Sequence, residues 1–163
     1  MKVSYRLVNG LLVLASIIGM SFALYLEHVK HLQPCPLCIF QRVGLIATGV
    51  VALIAFLHHP KSNIMKRIYA LLASLGVIWS TGVAARHIWI QHLPADQVPS
   101  CGPGLNYLID VFPMKDVLAQ VFTGSGECAK IDWTLFGFSL PELSIVFFAC
   151  LTILCFWQMF RKL

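Results

Sequence analysis

Polar and apolar residues alternate along this chain in blocks of about twenty, far longer than the three- or four-residue period of an amphipathic surface helix. Four apolar runs cover residues 7–26, 37–57, 68–90 and 143–160, and one long polar stretch covers residues 91–142. A helix needs about 20 mostly apolar residues to cross about 30 Å of hydrocarbon. In lipid the backbone must satisfy its own hydrogen bonds, so runs of this length predict spanning α-helices. The pattern predicts an all-α membrane protein: a four-transmembrane-helix bundle forming one integral membrane domain over residues 1–163. Two loops, about 27–36 and 91–142, leave from one side. No internal repeat or low-complexity tract interrupts the pattern.

Shorter signals refine this. Pro34 and Pro36 bracket Cys35, and proline favours the first helical turn, so the second helix starts near Pro36. The short 58–66 connection makes helices two and three an antiparallel hairpin. Ser74, Gly76, Ser80 and Gly82 in the third run suit close helix packing. In the long loop, Pro94, Pro99 and Pro103 with Gly102 and Gly104 predict an extended, turn-rich start. Pro113 then opens a helical pattern. Met114, Val117, Leu118 and Val121 fall at i, i+3, i+4 and i+7, while Lys115, Asp116 and Gln120 fall elsewhere. This predicts a short amphipathic helix at the membrane interface. Gly124–Ser125–Gly126 leads flexibly into Cys128, and Trp133, Phe136 and Phe138 read as an interfacial aromatic belt.

Composition agrees: 58% of residues are hydrophobic and 12% charged, which excludes an ordinary soluble domain. The net charge of +5 invites a nucleic-acid reading, but its distribution opposes one. Lys2, Arg6, Lys61, Lys66, Arg67, Arg161 and Lys162 lie at both termini and between the second and third runs, with no acid among them. Glu27, Asp96, Asp110, Asp116, Glu127, Asp132 and Glu142 all lie on the other side. By the positive-inside rule both termini face the cytoplasm and the two cysteine-bearing loops face outward. The first run has a basic start, but it is too long for a signal-peptide core and no small-x-small site follows it. It is therefore expected to stay as a helix.

The candidate chemistry lies in the outward loops. Cys35 and Cys38, spaced i, i+3 at a helix start, can close a disulfide or hold a reactive dithiol. A helix N-terminus and a nearby cation both favour the thiolate. Cys38 has both, with Arg42 one turn further on the same face. Cys38 is thus expected to be the stabilised thiolate next to a membrane-embedded partner, and Cys35, nearer the loop, the exchanging one. Arg within a span costs about 2.5–3.5 kcal/mol at the bilayer centre unless it snorkels to the interface. Beside a thiolate it can also hydrogen-bond a carbonyl oxygen such as that of a quinone headgroup. Arg86 and His87 end the third helix at the same depth, where a histidine can hydrogen-bond or protonate a reduced quinone. Cys101 and Cys128 lie outside, where disulfides persist; bonded together they would close a loop worth roughly 3–4 kcal/mol. The four outward cysteines allow three pairings. No metal is expected: a four-cysteine zinc site normally has two close pairs, and Cys101 and Cys128 are far apart in sequence. Cys150 and Cys155, inside an apolar helix, read as small packing residues.

Four spans, Cys35–Pro36–Leu37–Cys38–Ile39–Phe40–Gln41–Arg42 ahead of the second, Arg86–His87, Pro99–Ser100–Cys101–Gly102–Pro103–Gly104 and Gly124–Ser125–Gly126–Glu127–Cys128 together resemble the disulfide bond formation protein B (DsbB) family. The resemblance covers nearly the whole chain. It implies a thiol:quinone oxidoreductase of the bacterial inner membrane that reoxidises a soluble, periplasmic, thioredoxin-like dithiol oxidase of the DsbA type. That system is the standing example of a compartment kept oxidising kinetically rather than by a redox buffer. The implied catalytic residues are Cys35, Cys38, Cys101 and Cys128. The partner's thiolate attacks a Cys101–Cys128 disulfide at Cys101, and Cys128 exchanges with the first pair through Cys35. Cys38 beside Arg42 then passes electrons to ubiquinone or menaquinone with help from His87. Two rival readings stand. Vitamin K epoxide reductases also combine a four-helix bundle with loop cysteines, but their Cys-x-x-Cys comes late in the chain. A zinc-stabilised, non-enzymatic membrane assembly protein would use the same four outward cysteines as ligands.

Overall fold

The computed structural model describes residues 4–94, 96–99 and 105–160. Among the described residues, four helices are long and apolar enough to cross a membrane: α1 (Tyr5–His28), α2 (Pro36–His58), α3 (Asn63–Gln91) and α7 (Leu140–Phe160). Between α3 and α7 lie α4 (Leu105–Val111), α5 (Met114–Thr123), α6 (Gly126–Ala129) and a small antiparallel hairpin of β1 (Thr134–Leu135) and β2 (Phe138–Ser139). The protein is a four-helix membrane bundle. Exposed leucine, isoleucine and valine side chains, such as Leu7, Leu14, Ile18, Val43, Val50, Leu75 and Ile153, run along the outsides of the long helices. That apolar exterior suits lipid.

The spans match the apolar runs closely, with one clear difference. α3 begins at Asn63 rather than at residue 68, because Ile64 and Met65 with the helix formers Lys66 and Arg67 extend it ahead of the apolar stretch. The connection before it is tight: α2 ends where His59 turns left-handed (φ 43°, ψ 58°), which makes α2 and α3 a helical hairpin.

α2 packs against both α1 and α3, and α3 packs against α7, while α1 and α7 meet only lightly. The α2–α3 crossing is the tightest seam. A Cβ on Gly44 would stand 2.6 Å from Gly76 O, and one on Gly76 would stand 2.6 Å from Thr48 Oγ1. With small residues facing each other, Thr48 Oγ1 donates to Ala73 O (3.2 Å) and Ser80 Oγ to Gln41 O (2.9 Å) across the seam. Gly76 and Ser80 therefore serve close packing as expected, and Ser74 is buried with its hydroxyl on its own helix at Leu71 O. Gly82 does not, since nothing lies within 4 Å of where its Cβ would be.

Two apolar clusters fill the bundle. One is built on Leu12, Leu45, Ala52, Val77, Phe148, Leu151 and Cys155. The other lies at the end that carries the long loop and joins Cys35, Leu37, Val83 and Ile90 to Val117, Val121 and Cys128. α5 is the short amphipathic helix expected after Pro113, which is its N-cap. Val117 and Val121 turn onto the bundle, while Met114 stays exposed. Arg86 fastens the far end of this helix: its Nε donates to Phe122 O at 3.0 Å and its Nη2 to Thr123 O at 3.3 Å. These are carbonyls at a helix C-terminus, where a cation is favoured. The aromatic stretch expected as a belt is a hairpin turned by Phe136 (φ 52°) and Gly137 (φ 86°). Positive φ at both central residues matches the right-handed twist of paired strands.

Candidate active site

The site is built at the start of α2. Cys35 is the N-cap, in extended conformation (φ −68°, ψ 161°), and Pro36 takes the first helical position. Cys38 follows within the first turn, and the two Sγ atoms come to 3.2 Å as free thiols. Cys35 is buried and Cys38 half-buried.

His87, buried on α3, reaches across to this pair. Its Nε2 lies 3.1 Å from the backbone oxygen of Cys128 and 3.7 Å from Cys35 Sγ. Its Nδ1 lies 3.5 Å from Gln41 Nε2 and 3.9 Å from Cys38 Sγ. A carbonyl oxygen only accepts, so the Nε2 contact assigns the ring proton to Nε2. Nδ1 then keeps its lone pair toward Cys38 and the Gln41 amide. Gln41 is itself held from two sides. Ser144 Oγ of α7 donates to its Oε1 (3.1 Å), and Ser80 Oγ of α3 donates to its backbone oxygen. This side chain thus ties three helices together around the histidine.

Arg42 lies one turn beyond Cys38, as its spacing predicts. Its guanidinium forms an ion pair with Glu27 at the end of α1 and reaches Ala23 O at 3.4 Å. Both partners are partly exposed, so the pair fixes the direction of the guanidinium more than it stabilises the fold.

Cys128 arrives from the other side. It is fully buried on α6, and its Sγ lies 3.7 Å from Ser125 Oγ. Its thiol is pushed well above the usual cysteine range, first by a hydrogen bond with Cys35, then by burial and by its electrostatic interaction with Cys35. Cys101 lies outside the described residues. Cys150 is exposed and Cys155 is buried in the apolar core, both apart from the dithiol.

Beside the dithiol a cavity of about 360 Å³ opens between α1 and α7, the lightly packed pair. Cys35, Cys38, Gln41, Arg42 and His87 are part of its polar lining, with Glu27, Glu127, Lys130 and Asp132 also on it, and Phe22, Leu45, Phe147 and Phe148 are part of its apolar lining. Trp133, the residue before β1, meets Phe22 edge-on at 6.0 Å and lines one side. Cys128 does not line this cavity. Cys35 thus both lines the cavity and packs in the same buried cluster as Cys128.

Of the seven residues singled out from sequence, all but Cys101 are described, and five gather here: Cys35, Cys38, Cys128, Arg42 and His87. Arg86 points away and holds the loop. Sequence reading missed Gln41, Glu27 and Ser144. Gln41 left a signal, since a polar side chain inside a span is a functional candidate by default. Glu27 and Ser144 left none, because their partners lie 15 and 103 positions away.

A membrane helix bundle with a buried dithiol, a histidine and an arginine around one cavity belongs to the class of membrane proteins built for thiol chemistry. The family model for disulfide bond formation protein DsbB matches residues 5–158, and the chain belongs to that family. It is 70% identical over 161 residues to disulfide bond formation protein B of Acinetobacter baumannii, covering 99% of this chain and 94% of the relative. Identity with the protein of the same name from Acinetobacter baylyi is 66% over 162 residues, covering 99% and 95%. With that of Psychrobacter cryohalolentis it is 52% over 162 residues, covering 97% and 92%. The protein is thus a multi-pass membrane protein of disulfide bond formation.

Proposed function

We propose that the protein is a thiol:quinone oxidoreductase that reoxidises a periplasmic thioredoxin-like dithiol oxidase of the DsbA type. It passes the electrons through two cysteine pairs to a respiratory quinone, ubiquinone or menaquinone. The observation that carries this reading is the place of the Cys35–Cys38 pair: Cys35 shares a buried cluster with the loop cysteine Cys128, and both members of the pair line a cavity together with Arg42, Gln41 and aromatic rings.

Each step balances as thiol–disulfide exchange. A partner thiolate attacks Cys101 of a Cys101–Cys128 disulfide, and Cys128 leaves as a thiolate. The partner's second thiol resolves the mixed disulfide, so the partner leaves oxidised. Cys128 attacks Cys35 of the oxidised first pair and releases Cys38, and Cys101 completes the exchange. The first pair then holds the two electrons. With Cys35 and Cys38 joined, Cys35 carries no charge and offers Cys128 no hydrogen bond, so the leading cause of the raised Cys128 thiol is gone when attack is required.

A quinone in the cavity supplies a two-electron, two-proton acceptor. The cavity suits such a ring, with apolar walls and a few convergent donors. Arg42 and Gln41 supply N–H groups for its oxygens. His87, held at Nε2 by the Cys128 carbonyl, takes the Cys38 proton at Nδ1. The charge distribution supports placing this centre on the periplasmic side of the inner membrane, with both termini cytoplasmic.

Arg42→Ala is expected to slow quinone reduction by the dithiol while leaving partner thiol exchange near its starting rate. Cys101→Ala is expected to abolish partner exchange while the Cys35–Cys38 pair still reduces quinone. Equal losses in both half-reactions for Arg42→Ala would overturn the assignment.

A further inference from the structure

The dithiol and its histidine form a donor set whose chemistry goes beyond electron transfer. Cys35, Cys38 and one ring nitrogen of His87 offer three ligand atoms that all lie within 4.8 Å of one another. Zinc takes thiolate at about 2.3 Å and imidazole at about 2.0–2.1 Å in a tetrahedron, which sets ligand separations of about 3.8 Å (S to S) and 3.6 Å (S to N). Here the sulfurs are 3.2 Å apart, and Nδ1, the nitrogen that keeps its lone pair, lies 3.9 Å from Cys38 Sγ, while Cys35 Sγ lies 3.7 Å from the other nitrogen, Nε2. For all three to meet one ion, the sulfurs part by about half an ångström and Cys35 Sγ moves from the Nε2 side of the ring toward Nδ1.

The surroundings are also those of a metal ligand set. Histidine ligands usually donate their second ring N–H to a carbonyl or carboxylate, which fixes the tautomer and aims the free lone pair. His87 already does this through Nε2 and the Cys128 carbonyl at 3.1 Å. Two thiolates and a neutral imidazole around a divalent ion give a neutral complex, which suits a buried site. Sequence spacing argued against zinc because it weighed four cysteines. The structure replaces the second cysteine pair with a histidine 49 and 52 positions from Cys38 and Cys35.

We propose that the reduced Cys35–Cys38 pair, with His87, is a binding site for a thiophilic divalent cation of the zinc class, which locks the dithiol reduced and blocks its onward electron transfer. Binding releases two thiol protons and moves no electrons, and a fourth coordination position stays open to water. The oxidised pair offers no thiolates, so the site exists only in the reduced state. Binding stands on the geometry alone; the inhibition rests on the function proposed above.

The test uses full-length protein in detergent carrying Cys101→Ser and Cys128→Ser, so that the loop cysteines cannot serve as ligands. Reduced by a phosphine and freed of metal, it is first assayed for direct reduction of a short-chain quinone. Failure there counts against the proposed function and not against the metal site. Cadmium ion alone is then titrated, following thiolate-to-cadmium absorbance and equilibrium dialysis. The expected result is one cadmium per chain in the reduced protein, none after oxidation of the pair, and suppression of quinone reduction that a chelator reverses. Losing an outer-shell partner already costs about 10–100-fold in metal affinity, so His87→Ala is expected to weaken binding ~100-fold. Cys150→Ser is expected to change nothing. No binding by the reduced protein, or binding that survives oxidation or His87→Ala unchanged, would overturn the proposal.

Discussion

Arg86→Ala separates loop docking from quinone chemistry. Arg86 holds Phe122 O and Thr123 O at the end of α5, and α5 leads through Gly124 and Ser125 directly to Cys128. A hydrogen bond from a charged group contributes about 1.5–3 kcal/mol when shielded. The bond to Thr123 is exposed and adds little, so the pair together contributes about 2 kcal/mol. That energy is a factor of about 30 in the docking equilibrium. Val117 and Val121 remain buried on the bundle and keep part of the docking, so ~30-fold is the upper bound. The assay is two rates on one preparation: exchange between Cys128 and the Cys35–Cys38 pair after mixing with a reduced thioredoxin-like oxidase, and direct quinone reduction by the chemically reduced pair. Exchange is expected to fall by ~10–30-fold with the direct rate unchanged, and Arg86→Lys to recover part of the loss. An equal fall in both rates, or no fall in exchange, refutes the argument.

Other consequences follow from single contacts. Glu27→Gln removes the charge that directs Arg42; a partly exposed pair is worth about 0.5–1 kcal/mol, so the quinone KM is expected to rise ~2–5-fold while partner exchange holds, in steady-state assays of each half-reaction. Gly44→Ala drives a methyl toward Gly76 O and Trp79 at 2.6 and 2.9 Å, and overpacking of this kind costs about 1–3 kcal/mol, visible as an earlier thermal transition. In the fully reduced protein Cys35 is the first cause of the raised Cys128 thiol. A raised pKa delays thiolate formation to higher pH, so Cys35→Ala is expected to move Cys128 alkylation, followed by peptide mass spectrometry, to lower pH.

The bundle was legible because hydrocarbon imposes length and apolarity on every span, and those two properties are written directly in the residues. The start of α2 was equally plain, since Pro36 suits a first helical turn and Cys38 and Arg42 then fall one turn apart. Contacts between helices were not legible. His87 meets the dithiol, Ser144 meets Gln41 and Glu27 meets Arg42 only through tertiary packing, and no spacing rule couples positions so distant. The long loop mixed both cases. Pro113 and the 3–4 spacing of Val117 and Val121 announced α5, whereas α4 follows a proline- and glycine-rich stretch that argued for extended chain. The β1–β2 hairpin turns on Phe136–Gly137, without the Asn-Gly or Asp-Gly pair that usually signals such a turn. Depth alone put Arg86 and His87 on equal terms; the structure separates them, one to the loop and the other to the sulfurs.

The most direct test of the relay is anaerobic. Purified protein is given a reduced thioredoxin-like oxidase and a short-chain quinone, and quinone absorbance is followed for the parent and for single serine replacements of Cys35, Cys38, Cys101 and Cys128. The account predicts quinone reduction by the parent and its loss in each of the four variants. Quinone reduction that persists without any one of these cysteines, or its absence in the parent, would contradict it.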